Sequence, residues 1–234
     1  MTARTTFEQL AGEPDEMIDL ALGAALVAKD VYEDLDVDAL LSKLAELAGP
    51  LDGGALVGLP LAKQAEAVSE RFRELGFHGN AADYYDVRNS LLPDVLERRT
   101  GIPITLTLVW CEIARRAGVF ARGVAFPGHF VARVDELKAL SGRPMAPPLF
   151  VDPFHDGRLL TDLDARDLSL LQAATSRATL VRMLNNLKAI WSKRGEHARA
   201  AAVIGRMALL VPESAPVLRK ELEALKHAAK TAPS

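Results

Sequence analysis

Residues 89–133 read NSLLPDVLERRTGIPITLTLVWCEIARRAGVFARGVAFPGHFVAR, and the periodicity changes halfway along. Residues 104–117 form a strongly apolar run of helical length. Pro103 sits in the first turn, where a missing N–H costs nothing, and Gly118 is the stop. Beyond Gly118 the pattern is that of strands. Residues 119–126 and 129–134 read as two extended runs joined by a tight turn at Pro127-Gly128. Upstream, residues 90–99 read as a short helix broken by Gly101 and Pro103, with Asn89 as its N-cap.

Working outward, apolar residues at helical spacing predict helices over 15–32, 36–48 and 61–75. Asp36 serves as an N-cap, and Gly49-Pro50 is a stop. Residues 51–58 are a glycine-rich loop, and 78–85 an irregular connection. Downstream come a polar loop over 135–148 and a third strand over 149–151, ended by Asp152-Pro153. A His155-Asp156-Gly157 turn and a short strand over 158–160 follow, then a helix over 162–173 and a helical hairpin. Strands grouped between helical portions predict an antiparallel sheet and an α+β fold.

The 234 residues carry a net charge of −3, with 49% hydrophobic and 25% charged residues, which are ordinary globular values. Such a chain buries a core without disulfides or structural metals. Its single cysteine, Cys111, excludes an internal disulfide and a four-cysteine zinc site, and fits the reducing cytoplasm. Residues 1–13 hold no apolar signal-like segment, and the run over 20–28 is too short to span a bilayer. Charge is unevenly spread. Residues 1–56 hold three Lys/Arg against twelve Asp/Glu, and residues 177–234 hold eleven against four. The basic tail suits an acidic partner or RNA; the simpler reading is that it neutralises the acidic first third within one fold, with nucleic acid not a partner.

Several rigid motifs occur together: Asn89, Leu96, Arg99, Gly101-Ile102-Pro103-Ile104, Glu112, Ala114-Arg115, Gly118, Pro127-Gly128-His129-Phe130 and Asp152-Pro153-Phe154. In this order and spacing the chain resembles the SirB-type family of bacterial proteins. The resemblance implies a transglutaminase-like, papain-like core with a small antiparallel sheet. It implies a domain over 1–176, with a helical part over 1–80 and the core over 81–176, and a tetratricopeptide-like segment over 177–234. Leu184, Leu187, Trp191, Gly195, Ala200, Ile204, Met207 and Pro212 fit one such repeat. An ordinary hairpin closing the domain fits them as well. A lone repeat must pack on the first domain or on a partner.

Transglutaminase-like enzymes use a cysteine at a helix N-terminus, a histidine on a strand and an aspartate on the next strand. The helix end stabilises a thiolate, histidine relays the proton, and the carboxylate fixes the imidazole tautomer. The resemblance assigns His129 and Asp152 to two of these positions and expects them to pair in space. The cysteine's position, counted back from Gly118, falls at 103–105, where Thr105 offers the one hydroxyl. A β-branched internal threonine is a poor nucleophile. Cys111 lies six residues further along an apolar helix, roughly 9 Å on, and reads as a buried thiol of raised pKa. Other candidates have two readings each. Asn89 caps a helix or lines the cleft. Glu112 and Arg115 join a structural ion-pair network with Arg98 or Arg99, or bind a substrate carboxylate. His129, Asp152 and His155 form a conceivable metal-ligand set, though His155 reads first as a solvated turn residue, and neither a metal nor another cofactor is expected. Three functions follow. The first is a non-catalytic peptide- or protein-binding module with an unidentified partner. The second is a hydrolase or acyl transferase using His129 and Asp152 with Thr105 or an activated water. The third is a scaffold.

Overall fold

The computed structural model describes residues 5–126, 128–136, 146–161 and 171–231, with side chains to 225. The fold is α+β. Helices α1 (Phe7–Gly12), α2 (Leu20–Lys29), α3 (Val37–Glu46) and α4 (Leu61–Glu74) precede a core of α5 (Leu92–Arg98), α6 (Pro103–Arg116) and a sheet. The sheet strands are β3 (Ala121–Phe126), β4 (His129–Val134), β5 (Leu149–Asp152) and β6 (Arg158–Leu159), in that spatial order and all antiparallel. Two short strands, β1 (His78–Gly79) and β2 (Thr100–Gly101), pair in parallel beside it. Helices α7 (Ser176–Lys193), α8 (His197–Leu210) and α9 (Ala215–Thr231) end the described chain.

α6 is the centre of the molecule. It is apolar nearly all round, with Leu106, Val109, Trp110 and Ile113 fully buried, as expected of a helix covered on every side. It packs on β3 and β4 on one flank and on α3 and α4 on another. Two polar side chains fasten it. Trp110 Nε1 donates to Ser69 Oγ of α4 at 3.2 Å, and Thr107 Oγ1 donates to the Phe130 carbonyl of β4 at 3.2 Å.

The sheet is apolar on both faces. Phe130, Ala132, Val134 and Val151 join the main core, while Val131, Val124, Phe150 and Leu171 form a second cluster. That is the period-two alternation of a strand buried on both sides. Phe126 pairs with His129, so the hairpin turn has two residues. Gly128 takes φ 67° there, a left-handed conformation that glycine adopts without steric cost; Pro127 lies outside the described residues.

Several sequence expectations shift. The helix expected over 15–32 is a 3-10 turn at Asp15–Met17 followed by α2, because the Asp19 carboxylate caps it by accepting from Leu22 N–H at 3.0 Å. The helix expected over 90–99 begins at Leu92, with Pro93 in its first turn and no side-chain cap. Asn89 is therefore not a helix cap. α1 and α9 were not anticipated. Most of the helix expected over 162–173, and most of the loop over 135–148, lie outside the described residues. At its end, Ala174 N–H donates to the Gly123 carbonyl at 2.8 Å.

The terminal helices share the main core. Leu180, Leu184, Leu187 and Trp191 of α7 and Ala200, Val203 and Ile204 of α8 belong to the same apolar cluster as Phe7 and Ala24. Contact with α2 is close because Gly23 has no side chain: a Cβ there would lie 2.7 Å from a Leu180 methyl.

Candidate functional site

β4 and β5 bring His129 and Asp152 together. Ala132 pairs with Val151, and continuing that register sets Val131 opposite Asp152. His129 is then the diagonal neighbour of Asp152 on one face, within reach of a long side chain. His129 Nε2 lies 2.8 Å from Asp152 Oδ1.

Asp152 is 2% exposed and accepts from several donors. It opens a 3-10 turn (Pro153–His155) by accepting from the N–H groups of Phe154 at 3.1 Å and His155 at 3.3 Å. His155 Nδ1 lies 2.7 Å from Oδ2, and the Arg158 guanidinium 3.7 Å from it. Burial works to raise the Asp152 pKa, but hydrogen bonds from His129 and His155 outweigh it and hold the carboxyl below its ordinary value. An ionised carboxylate only accepts, so both imidazoles donate to it. His129 is thereby fixed as the Nε2–H tautomer when neutral. Its Nδ1 has no partner among the described residues.

The ring of Phe154 packs edge-on to His129, with centroids 5.8 Å apart, and to His155 at 5.2 Å. Behind Phe154 stands Gly79 of β1, where a Cβ would lie 2.5 Å from the Phe154 carbonyl oxygen. Arg182 of α7 donates to the His129 carbonyl at 2.8 Å and lies over the Phe130 ring at 5.2 Å.

Thr105 stands in the first turn of α6, 1% exposed. Its hydroxyl donates to the Asn89 carbonyl at 2.7 Å and accepts from Ile102 N–H at 3.2 Å. A hydroxyl has one proton, and this one is committed to a backbone carbonyl rather than to His129. Cys111 is half-buried, and its thiol is pushed up to about 12 by desolvation and by the neighbouring Glu112 carboxylate.

Asn89 is fully buried and holds the preceding loop. Its Nδ2 donates to the Asp83 carbonyl at 2.7 Å, and its Oδ1 accepts from Asn80 at 3.2 Å. Arg99 ends α5 at φ 58°, with its guanidinium 4.8 Å from the Phe77 ring centroid. Burial lowers its pKa, aided by repulsion from Arg71. Glu112 pairs with Arg115 and Arg116, and Arg98 pairs with Asp86. The network expected between Glu112 and Arg98 or Arg99 is thus two separate ones, because α6 turns Glu112 toward its own C-terminal arginines. His155 is an exposed turn residue, as expected, and is also the second imidazole on Asp152. The signal for it was present, since a histidine three residues beyond Asp152 across a Pro-led 3-10 turn comes back to the same carboxylate. Arg182 had no local signal.

His129, Asp152 and His155 offer ligand atoms all within 4.8 Å of one another, a set of donors suited to a divalent transition metal. Their mutual hydrogen bonds already satisfy the carboxylate. Among the described residues no helix is long and apolar enough to cross a membrane.

The sequence matches the model of the Transglutaminase-like superfamily over residues 35–190. It is 35% identical to a UPF0162 protein of Xylella fastidiosa (strain 9a5c), over 91% of this chain and 79% of that protein. It is 31% identical to a UPF0162 protein of Pseudomonas aeruginosa, over 88% and 76%. Human F-box only protein 21 is 32% identical over 53% of this chain and 21% of its own length. No solved structure matches. The matched span holds α6, His129 and Asp152, and the chain belongs to the transglutaminase-like superfamily, with bacterial UPF0162 proteins as relatives along nearly its whole length.

Proposed function

We propose that this chain is a non-catalytic, peptide- or protein-binding member of its superfamily. The observation that carries the reading is the engagement of Thr105: its hydroxyl faces two backbone carbonyl acceptors, Asn89 at 2.7 Å and Ile102 at 3.0 Å, so the first turn of α6 presents no nucleophile to His129. Cys111 does not replace it, because a thiol at about 12 is protonated at neutral pH. His129 and Asp152 then act as a fixed polar pair that recognises a ligand, with His129 Nδ1 as the ring nitrogen not engaged by Asp152. The terminal helices, in the tetratricopeptide-like reading, add a protein-contacting surface, and Arg182 ties them to the site.

A second reading is a hydrolase in which His129 activates water. It is favoured by the 2.8 Å pair, which is the orientation a general base needs. The test is turnover of peptide, ester and amine-acceptor substrates by the full chain and by His129→Ala, with thermal unfolding of both. No His129-dependent turnover is expected. Turnover lost in a His129→Ala protein that melts like the parent would replace the binding reading with the second.

A further inference from the structure

Beside the His129–Asp152 pair runs a strip of aromatic rings and cations. Tyr85 and Tyr84 have centroids 5.4 Å apart, Tyr84 and Phe154 6.2 Å, and Phe154 and His129 5.8 Å, each contact edge-to-face. The strip is accessible, with Tyr84 39% and Tyr85 63% exposed. Asn89 holds the carbonyls of Asp83 and Tyr84, so a fully buried side chain sets this loop in place.

Cations from the terminal helices line it. Lys193 Nζ lies 5.0 Å from the Tyr85 centroid, and Arg194 reaches the Tyr85 carbonyl at 3.4 Å. Arg182 donates to the His129 carbonyl, and Arg158 stands 3.7 Å from Asp152. Among the described residues none of Lys193, Arg194 and Arg182 has a carboxylate partner. Elsewhere arginines do: Arg88 and Arg98 pair with Asp86, Arg115 with Glu112, Arg133 with Asp135, and Arg206 with Asp30 and Glu8. Asp83, next to Tyr84, acts electrostatically on Arg88. Among the described residues the strip is therefore a place where positive charge stands without a carboxylate partner, in a chain whose net charge is −3.

We propose that this strip, from Lys193 and Arg194 through Tyr85, Tyr84 and Phe154 to His129, binds an acidic peptide segment in extended conformation. Alternate side chains of an extended chain lie roughly 7 Å apart on one face, close to the spacing of the rings. Apolar side chains would lie on the ring edges and carboxylates on the cations. Nucleic acid fits less well. Base stacking needs open ring faces, whereas these rings meet edge-to-face and Lys193 Nζ already lies over the Tyr85 ring at 5.0 Å. The proposal rests on the binding reading of the chain and gives that reading a partner class.

The test is fluorescence anisotropy with the full chain and three labelled probes: a peptide alternating Glu and Leu, one alternating Lys and Leu, and oligouridylate. Saturable binding of the Glu peptide alone is expected, weakening with salt. Lys193→Glu with Arg194→Glu, both exposed, should weaken it about tenfold or more; Tyr85→Ala should weaken it with less change in salt dependence. No saturable binding of the Glu peptide, unchanged affinity in the charge-reversed protein, or equal binding of oligouridylate would each overturn the proposal. Mass analysis of the bound Glu peptide separates the two readings. Cleavage or amine incorporation by the parent, with binding still weakened by Lys193→Glu and Arg194→Glu, would sink the non-catalytic reading while leaving the strip, and absence of Glu-peptide binding without turnover would sink the strip alone.

Discussion

At the scale of single residues, Asp152 decides the site. Two imidazoles and two backbone N–H groups converge on one buried carboxylate, and its pKa is held down by the two histidines against the pull of burial. A carboxyl with a lowered folded-state pKa contributes stability that is present above its unfolded value, about 4, and is lost as pH falls through the lower folded value. Asp152→Asn is therefore expected to cost about 1–3 kcal/mol near neutral pH. The gap from the parent should shrink below about pH 4. Urea unfolding from pH 7 down to pH 3 measures this, and a gap that stays constant over that range would contradict it. His129 and Asp152 were legible through the family resemblance that Pro127-Gly128-His129-Phe130 and Asp152-Pro153-Phe154 carry, not through strand periodicity alone. Asn89 was misread as a cap: its small polar side chain suits a helix N-terminus, but Pro93 and the extended Leu91 delay the helix and turn Asn89 into the buried anchor of residues 80–88.

Between elements, close approach to the site depends on a glycine. Gly79 of β1 lies against the Phe154 carbonyl and ring, so Gly79→Ala must displace the turn that Asp152 caps. Such overpacking against backbone costs about 1–3 kcal/mol. It should also shift the imidazole resonances of His129 and His155 in the NMR spectrum. Parent-like stability together with unmoved resonances would show that the turn is not wedged there. β1 and β2 escaped sequence reading because two-residue strands carry no period, and their pairing joins segments 22 residues apart. α6 was plain in the sequence, since Pro103 and Gly118 bracket an unbroken apolar run. α9 was not, because its start depends on the Pro212–Ser214 turn rather than on a strong cap.

For the molecule as a whole, α7 ties the terminal helices both to the core and to the site. Leu184 is fully buried in the main apolar cluster, and Arg182, two residues before it, holds the carbonyl of His129. Leu184→Ala should cost about 2–5 kcal/mol and lower a single thermal transition; a second transition at lower temperature, with the first unmoved, would mean that the terminal helices unfold separately. The antiparallel grouping of strands between helices made the α+β class readable early. The adjoining cationic strip was not readable, because Tyr84, Phe154 and Lys193 are far apart in sequence and meet only in the fold. The central claim is that a paired imidazole and carboxylate face no nucleophile. Intact-mass spectrometry and peptide mapping of the full chain after treatment with p-nitrophenyl acetate test this most directly. The account predicts no acyl group on Thr105 or Cys111, in the parent as in His129→Ala. An acyl adduct on either residue that disappears in His129→Ala would contradict it.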